Sequence, residues 1–326
     1  LKLNQPSNWR ATYNTADFVI VTHRDFWTAA NRLAGVRRLN SMFVAVVDVE
    51  DIYDEFSYGA KSPQAIKDLL SYARTNWARK PGFALLLGEG THDPRNYLGK
   101  SSDTGNNDFV PTHLGTTKYF ETALDNWFAD TNNDGVPELA LGRLPVRTAA
   151  QADAVVGKIL AFKLPATPRS SLFVSDRTTE GENFKALSEQ LARTLPALMP
   201  KQFINRNDGA PDKLRSQIVS TVNLTAPLVV NWLGHGSTQV WTGDGLLRAE
   251  DAAALTNPTA SLFVMTSCLN GFFTDPQQQS LGEAVLTTAP GGAFAVIASS
   301  GLNQPAPQNV FNLTLYQGLF SQGLTL

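Results

Sequence analysis

The chain has 326 residues, 43% of them hydrophobic and 17% charged, with a formal net charge of −2, enough for a large core divided between two domains or lobes. The near-neutral balance excludes a polybasic binder of nucleic acid or membrane surface, and no apolar run approaches the ~20 residues of a membrane-spanning helix. A single cysteine, Cys268, excludes an intrachain disulfide and any cysteine-cluster metal site.

Residues 1–16 are polar, carry little pattern and read as a leader or linker. The start on Leu1 rather than methionine sets the expectation of a processed piece of a longer precursor. The apolar runs 18–21, 42–47 and 83–87 predict three strands, and residues 26–39 and 62–78 predict helices between them. Ser62 and Pro63 fit the cap and first position of the second helix. This β-α-β-α-β order predicts a parallel sheet covered by helices. A glycine-rich strand-end loop with Glu89, His92 and Asp93 follows. It lacks a phosphate-binding signature, and its strand-end position invites a functional reading that the residues alone leave open. Residues 99–134 form a long polar excursion whose aromatics, Phe109, Tyr119, Phe120, Trp127 and Phe128, are expected to need burial.

The stretch 130–138 begins like a calcium loop. Asp130, Asn132 and Asp134 stand at positions 1, 3 and 5, Gly135 at 6 and Glu138 at 9. Position 12 is Leu141 where an EF-hand needs a glutamate, so an EF-hand is not expected. On pattern alone an Asn/Asp/Gly turn is favoured over an ion site. A strand over 139–144 and a helix over 147–163 close the first lobe. The proline-bearing segment 165–168 is the expected boundary, giving lobes over 17–165 and 166–326. In the second, strands are predicted at 171–175, 202–204, 227–233, 261–267 and 292–298. Helices are predicted at 182–195, 211–222, 248–255, 280–288 and 310–320.

His235 and Cys268 each follow one of these apolar runs, and in a parallel sheet such strand ends lie along one edge. A thiol and an imidazole so placed are the minimum for covalent acyl transfer: the imidazole takes the thiol proton and returns it to the leaving amine. Gly236 has no side chain to block a substrate carbonyl, so its amide and that of Cys268 are the expected oxyanion donors. The bland readings are a buried small hydrophobe for Cys268 and a turn residue for His235. Asp244 and Asn270 are near in sequence, which is weak evidence of contact. The four histidines lack ligand spacing.

The segments NWLGHGS at 231–237, SCLNGF at 267–272, LGEA at 281–284 and AVIAS at 295–299 resemble the gingipain-type cysteine peptidases. Upstream, DIYDEF at 51–56, LLLGEG at 85–90 with DPRNY at 93–97, and DNW at 125–127 through GRLP at 142–145 are similar to that family's first lobe. The resemblance implies a caspase-like α/β fold in two lobes, with mainly parallel sheets flanked by helices. It implies a cysteine endopeptidase with Cys268 as nucleophile, His235 as general base and acid, and Gly236 and Cys268 amides as oxyanion donors. An acid that orients the histidine is expected too. The stretch 174–183 departs from the family there, and Asp176 is the first candidate, Glu182 the second, for orienting His235 or lining the pocket. Cleavage after a basic residue is one expectation for specificity. No cofactor is needed for the chemistry. The resemblance raises the standing of a structural calcium at Asp130, Asn132, Asp134 and Glu138. It also implies a bacterial exported or cell-surface protein whose partners are a peptide or protein substrate and a propeptide or neighbouring domains. The alternatives are a peptide ligase using the same dyad and a non-catalytic surface module.

Overall fold

The computed structural model describes residues 6–99, 107–163, 167–178 and 181–321. The chain divides into two compact units, one of residues up to 160 together with 274–277, the other of 161–273 and 278–326.

The first unit is built on β1 (Phe18–Thr22), α1 (Trp27–Leu39), β2 (Val44–Asp48), α2 (Val49–Phe56), α3 (Pro63–Asn76) and β3 (Phe83–Leu87). A hairpin of β4 (Leu114–Thr116) and β5 (Glu121–Ala123), the short α4 (Asn126–Ala129), β6 (Ala140–Leu144) and α5 (Ala149–Ala161) follow. Its sheet runs β2-β1-β3-β6, all parallel. β1 is central and buried on both faces, as its near-continuous apolar run requires. Asp48 and Ser62 cap α2 and α3 by accepting from Glu50 N–H and Gln64 N–H, each cap being worth roughly 1 kcal/mol.

Two expectations change here. Residues 6–16 are packed rather than a loose leader. The amides of Trp9 and Arg10 donate to the Glu55 carboxylate, Trp77 Nε1 donates to the Trp9 carbonyl, and Ala16 is buried. In the excursion, Phe128 is buried, Phe109 packs edge-on against Phe26 and Trp127 stacks on His113. Tyr119, at the tip between β4 and β5, is exposed.

The second unit comprises β7 (Ser171–Ser175), α6 (Phe184–Ala192), β8 (Lys201–Asn205), α7 (Pro211–Thr225), β9 (Val229–Leu233) and the short strands β10 (Gly236–Ser237), β11 (Val240–Trp241) and β12 (Leu247–Arg248). Then come β13 (Ser261–Met265), α8 (Leu281–Thr287), β14 (Ala293–Ala298) and α9 (Pro305–Tyr316). Its five-stranded sheet runs β14-β13-β9-β7-β8, all parallel. Alternation along the strands builds two cores. Val174, Trp232 and Met265 face one, and Phe173, Leu233 and Val264 face the other. The expected helix over 248–255 is a 3-10 turn, Ala249–Ala254. The architecture is α/β, with mostly parallel sheets flanked by helices.

Candidate active site

The register of the second sheet sets the site. Met265 of β13 pairs with Trp232 of β9, so Cys268 and His235 each stand three residues past a paired position, on neighbouring strands. Ser175 of β7 pairs with Leu233, which puts Asp176 at the same edge.

The histidine backbone is fixed at both ends. Its N–H donates to Asp176 Oδ2 at 3.1 Å, and its carbonyl accepts from Thr242 N–H at 3.0 Å and Trp232 Nε1 at 3.3 Å. Asp176 is buried, and its other oxygen accepts from Arg177 N–H at 2.8 Å. Gly234 lets this happen: a Cβ there would collide with Asp176 and come within 2.6 Å of the Trp232 ring. Trp232 in turn stacks on Trp241 of β11, with centroids 4.9 Å apart and planes at 5°. Asp176 thus holds the histidine main chain, not its ring. The ring belongs to Glu182. Its Oε2 lies 3.5 Å from His235 Nε2, and Phe184 sits edge-on to the imidazole at 5.6 Å. Asn183, between them, caps α6 by accepting from Ala186 N–H, so Glu182 stands just before the start of the helix. The His235 side chain is 61% exposed, open to an incoming substrate.

Gly236 joins the two loops. A Cβ on it would lie 2.6 Å from Ser267 Oγ and 2.9 Å from the Cys268 carbonyl, so the main chain after the histidine runs directly against the cysteine loop. Gly236 is paired with Trp241, and the flanking bond runs from Thr242 N–H to the His235 carbonyl. In that antiparallel pattern the paired residue's own amide points away from its partner strand, here away from β11. Asn270 is the tie. Fully buried, it donates from Nδ2 to the carbonyls of Ser237 at 2.6 Å and Val240 at 3.2 Å, and accepts from Ser267 Oγ at 2.5 Å. Between Cys268 and Asn270 the chain passes through Leu269 at φ 62°, a left-handed conformation that costs a non-glycine residue roughly 1–2 kcal/mol. The bonds from Leu269 N–H to the Gly301 carbonyl and from Gly271 N–H to the Ser299 carbonyl hold that turn.

Cys268 is partly exposed. Its Sγ lies 3.4 Å from Asn303 N and 3.6 Å from Asn303 O. Two cavities flank the segment that carries Asn303. One, of about 300 Å³, lies between the ends of β13 and β14 and the first turns of α9. The other, of about 720 Å³, lies between the starts of α6 and α9 and includes Glu182.

The family model for peptidase family C25 matches residues 11–326. The chain belongs to peptidase family C25. By that membership it is a cysteine peptidase. No curated protein sequence matches it. Among solved structures it is similar to the Arg-specific cysteine proteinase gingipain R, with TM-score 0.76 and 16% identity over 98% of this chain and 70% of that one. It is also similar to the complex of pro- and mature domains of Porphyromonas gingivalis RgpB, with TM-score 0.75 and 15% identity over 93% and 68%. A third structure, described as a protease, matches with TM-score 0.72 and 16% identity over 93% and 63%. These likenesses show the gingipain fold, caspase-like as expected.

The remaining sequence candidates are elsewhere. Asp244 pairs with Arg177 and Arg206, not with the dyad. Glu89 pairs with Arg147, the Asp93 carboxylate accepts from Tyr97 and Leu98 N–H, and His92 N–H donates to the Thr274 carbonyl, all within the first unit. In the 130–138 loop, ligand atoms of Asp130, Asp134 and Glu138 lie within 4.8 Å of one another. Asp130 also accepts from the amides of Asp134 and Gly135, Asn132 Oδ1 from Asp134 N–H, and Glu138 from Thr131. Carboxylate and amide oxygens of this kind are the ligand type that calcium takes, in sets of six to eight. No helix of the described residues is long and apolar enough to cross a membrane.

The residues that sequence reasoning missed are Asn303 and the tie made by Asn270. Asn303 lies 35 residues from the cysteine in an unpatterned loop, so nothing in the chain signalled it. For Asn270 a signal existed: an amide side chain two residues after Cys268 in SCLNGF.

Proposed function

We propose that the chain is an endopeptidase with Cys268 as nucleophile and His235 as its proton carrier. The observation that carries this reading is the contact of Gly236 with Ser267 and Cys268, which sets the histidine and cysteine loops side by side. In the reaction His235 accepts the Cys268 thiol proton as sulfur attacks the peptide carbonyl. The amides of Gly236 and Cys268 take up the charge on its oxygen. The C–N bond then breaks, and the imidazolium gives its proton to the departing amine. Water, relieved of a proton by the same imidazole, attacks the thioester. The acid forms and the thiol is restored. Glu182 holds one ring nitrogen and stabilises the imidazolium, while Asp176 keeps the backbone that carries the ring in place.

The loop of Asp130, Asn132, Asp134 and Glu138 is assigned a structural calcium, which would neutralise converging carboxylates and take no part in the chemistry. The pro-domain complex of RgpB supports a propeptide or neighbouring domain as partner, and the family resemblance supports an exported or cell-surface protein. The test is covalent labelling by peptidyl electrophiles, read by mass spectrometry. Labelling should fall on Cys268 and be lost in Cys268→Ala, and His235→Ala should slow it by a factor on the order of 10² or more. An accessible thiol that no peptidyl electrophile modifies would refute the assignment. Added amines that compete with water for the acyl group would reveal transfer in place of hydrolysis.

A further inference from the structure

We propose that the smaller cavity receives the side chain of the substrate residue that donates the attacked carbonyl, and that this side chain is apolar and uncharged. The inference rests on the cysteine-peptidase reading of the site and names its substrate class.

Position comes first. Asn303 lines the cavity and is also the residue whose backbone lies against Cys268 Sγ. Thr266, another lining residue, precedes the cysteine by two positions. In an acyl-enzyme the acyl residue's Cα is one bond from the carbon held by sulfur, so its side chain must enter whatever opening adjoins the thiol. The cavity of about 300 Å³ shares Asn303 with the thiol, and its place beyond the carboxyl ends of parallel strands is where such sheets bind ligands.

Chemistry decides the class. The walls are largely Met265, Ile297, Ala298, Pro307 and Phe311, and no lining residue is ionisable. The hydroxyls that line it already have partners: Thr266 Oγ1 accepts from Asn312 Nδ2 at 2.6 Å, and Ser299 Oγ accepts from Gly301 N–H at 3.1 Å. Neither acid of the site reaches in. Asp176 serves two backbone amides and Glu182 serves the imidazole. A guanidinium or ammonium entering here would give up part of its water and gain no counter-charge, which disfavours an ion. An aliphatic or aromatic side chain would instead cover Phe311, which is 51% exposed, and gain by leaving water.

The experiment uses a set of peptidyl electrophiles identical except at the residue bearing the electrophile: Leu, Phe, Arg and Glu. Second-order labelling rates of Cys268 are compared. The Leu or Phe probe should react on the order of 100-fold faster than the Arg probe. Phe311→Ala, at an exposed position, should narrow that ratio by about 10-fold, through weaker binding and not a slower bond-forming step. Gln308→Glu, which places an acid on the cavity wall, should raise the Arg rate relative to Leu. An Arg probe equal to or faster than Leu on the unaltered protein overturns the apolar assignment while leaving the peptidase intact. Failure of every probe overturns the peptidase reading, and this inference with it.

Discussion

Asp176 and Glu182 sit within a few residues of each other and do different work. Asp176 is buried and satisfies two main-chain amides, those of His235 and Arg177. Asp176→Ala leaves both part-buried donors without this partner, which costs about 1 kcal/mol or more. Urea melts should show a clear loss of stability, with labelling of Cys268 reduced as the histidine loop loosens. Glu182 is more open and meets the imidazole itself. Glu182→Gln keeps the shape, so the same melts should stay within about 0.5 kcal/mol of the parent, while labelling slows on the order of 10-fold. Equal destabilisation by both changes would mean that the two acids are not divided in this way. Residue type and neighbourhood made both acids visible as candidates, and Asp176 stood first because it directly follows a strand. Rank followed chain position, whereas the ring contact follows from how α6 is capped by Asn183, a detail of three dimensions.

Among the elements, the short hairpin β10-β11-β12 matters most, and it was the least legible. Its strands have two residues each, too few to show alternation, and glycine, threonine and glutamine between them read as a turn. The strands β1, β3, β9 and β13 were plain, because burial leaves near-continuous apolar runs, broken in β9 by the buried Asn231 alone. Residues 6–16 failed in the opposite sense. Their anchors are two tryptophan contacts and main-chain bonds to Glu55, which carry no periodic signature. The hairpin's fit against the cysteine loop gives a sharp expectation. Gly236→Ala has no room for its methyl without shifting Ser267 or the Cys268 carbonyl. Circular dichroism should report an intact sheet, since β10 is outside the five-stranded sheet. Peptidyl labelling should fall at least about 100-fold, as expected when reacting groups are displaced by about an ångström. A fully active Gly236→Ala enzyme would show that the two loops do not need this approach.

For the molecule as a whole, the calcium assignment predicts linkage between ion and fold. Asp130, Asp134 and Glu138 gather negative charge in an exposed loop, and an ion bound only by the folded state adds about 2.7 kcal/mol at a concentration 100 times its dissociation constant. Millimolar calcium should therefore raise the melting temperature over a chelator control by several degrees, at about 2–4 °C per kcal/mol. Asp134→Asn should remove most of the increment. Identical melting with calcium and with chelator would count against an ion there.

The order of the second sheet carries a further meaning for the time course of synthesis. The proposed site draws Asp176 from the end of β7, Glu182 from the approach to α6, His235 from β9, Cys268 from β13 and Asn303 from beyond β14. β9 and β13 are neighbours in the sheet but are separated in the chain by β10, β11 and β12, and Asn303 follows the last strand of all. A growing chain therefore holds Asp176, Glu182 and His235 while Cys268 and Asn303 are still to be made. On the proposed roles, no stretch shorter than 176–303 holds the whole site, so it can form only once all five strands of the second sheet have been made.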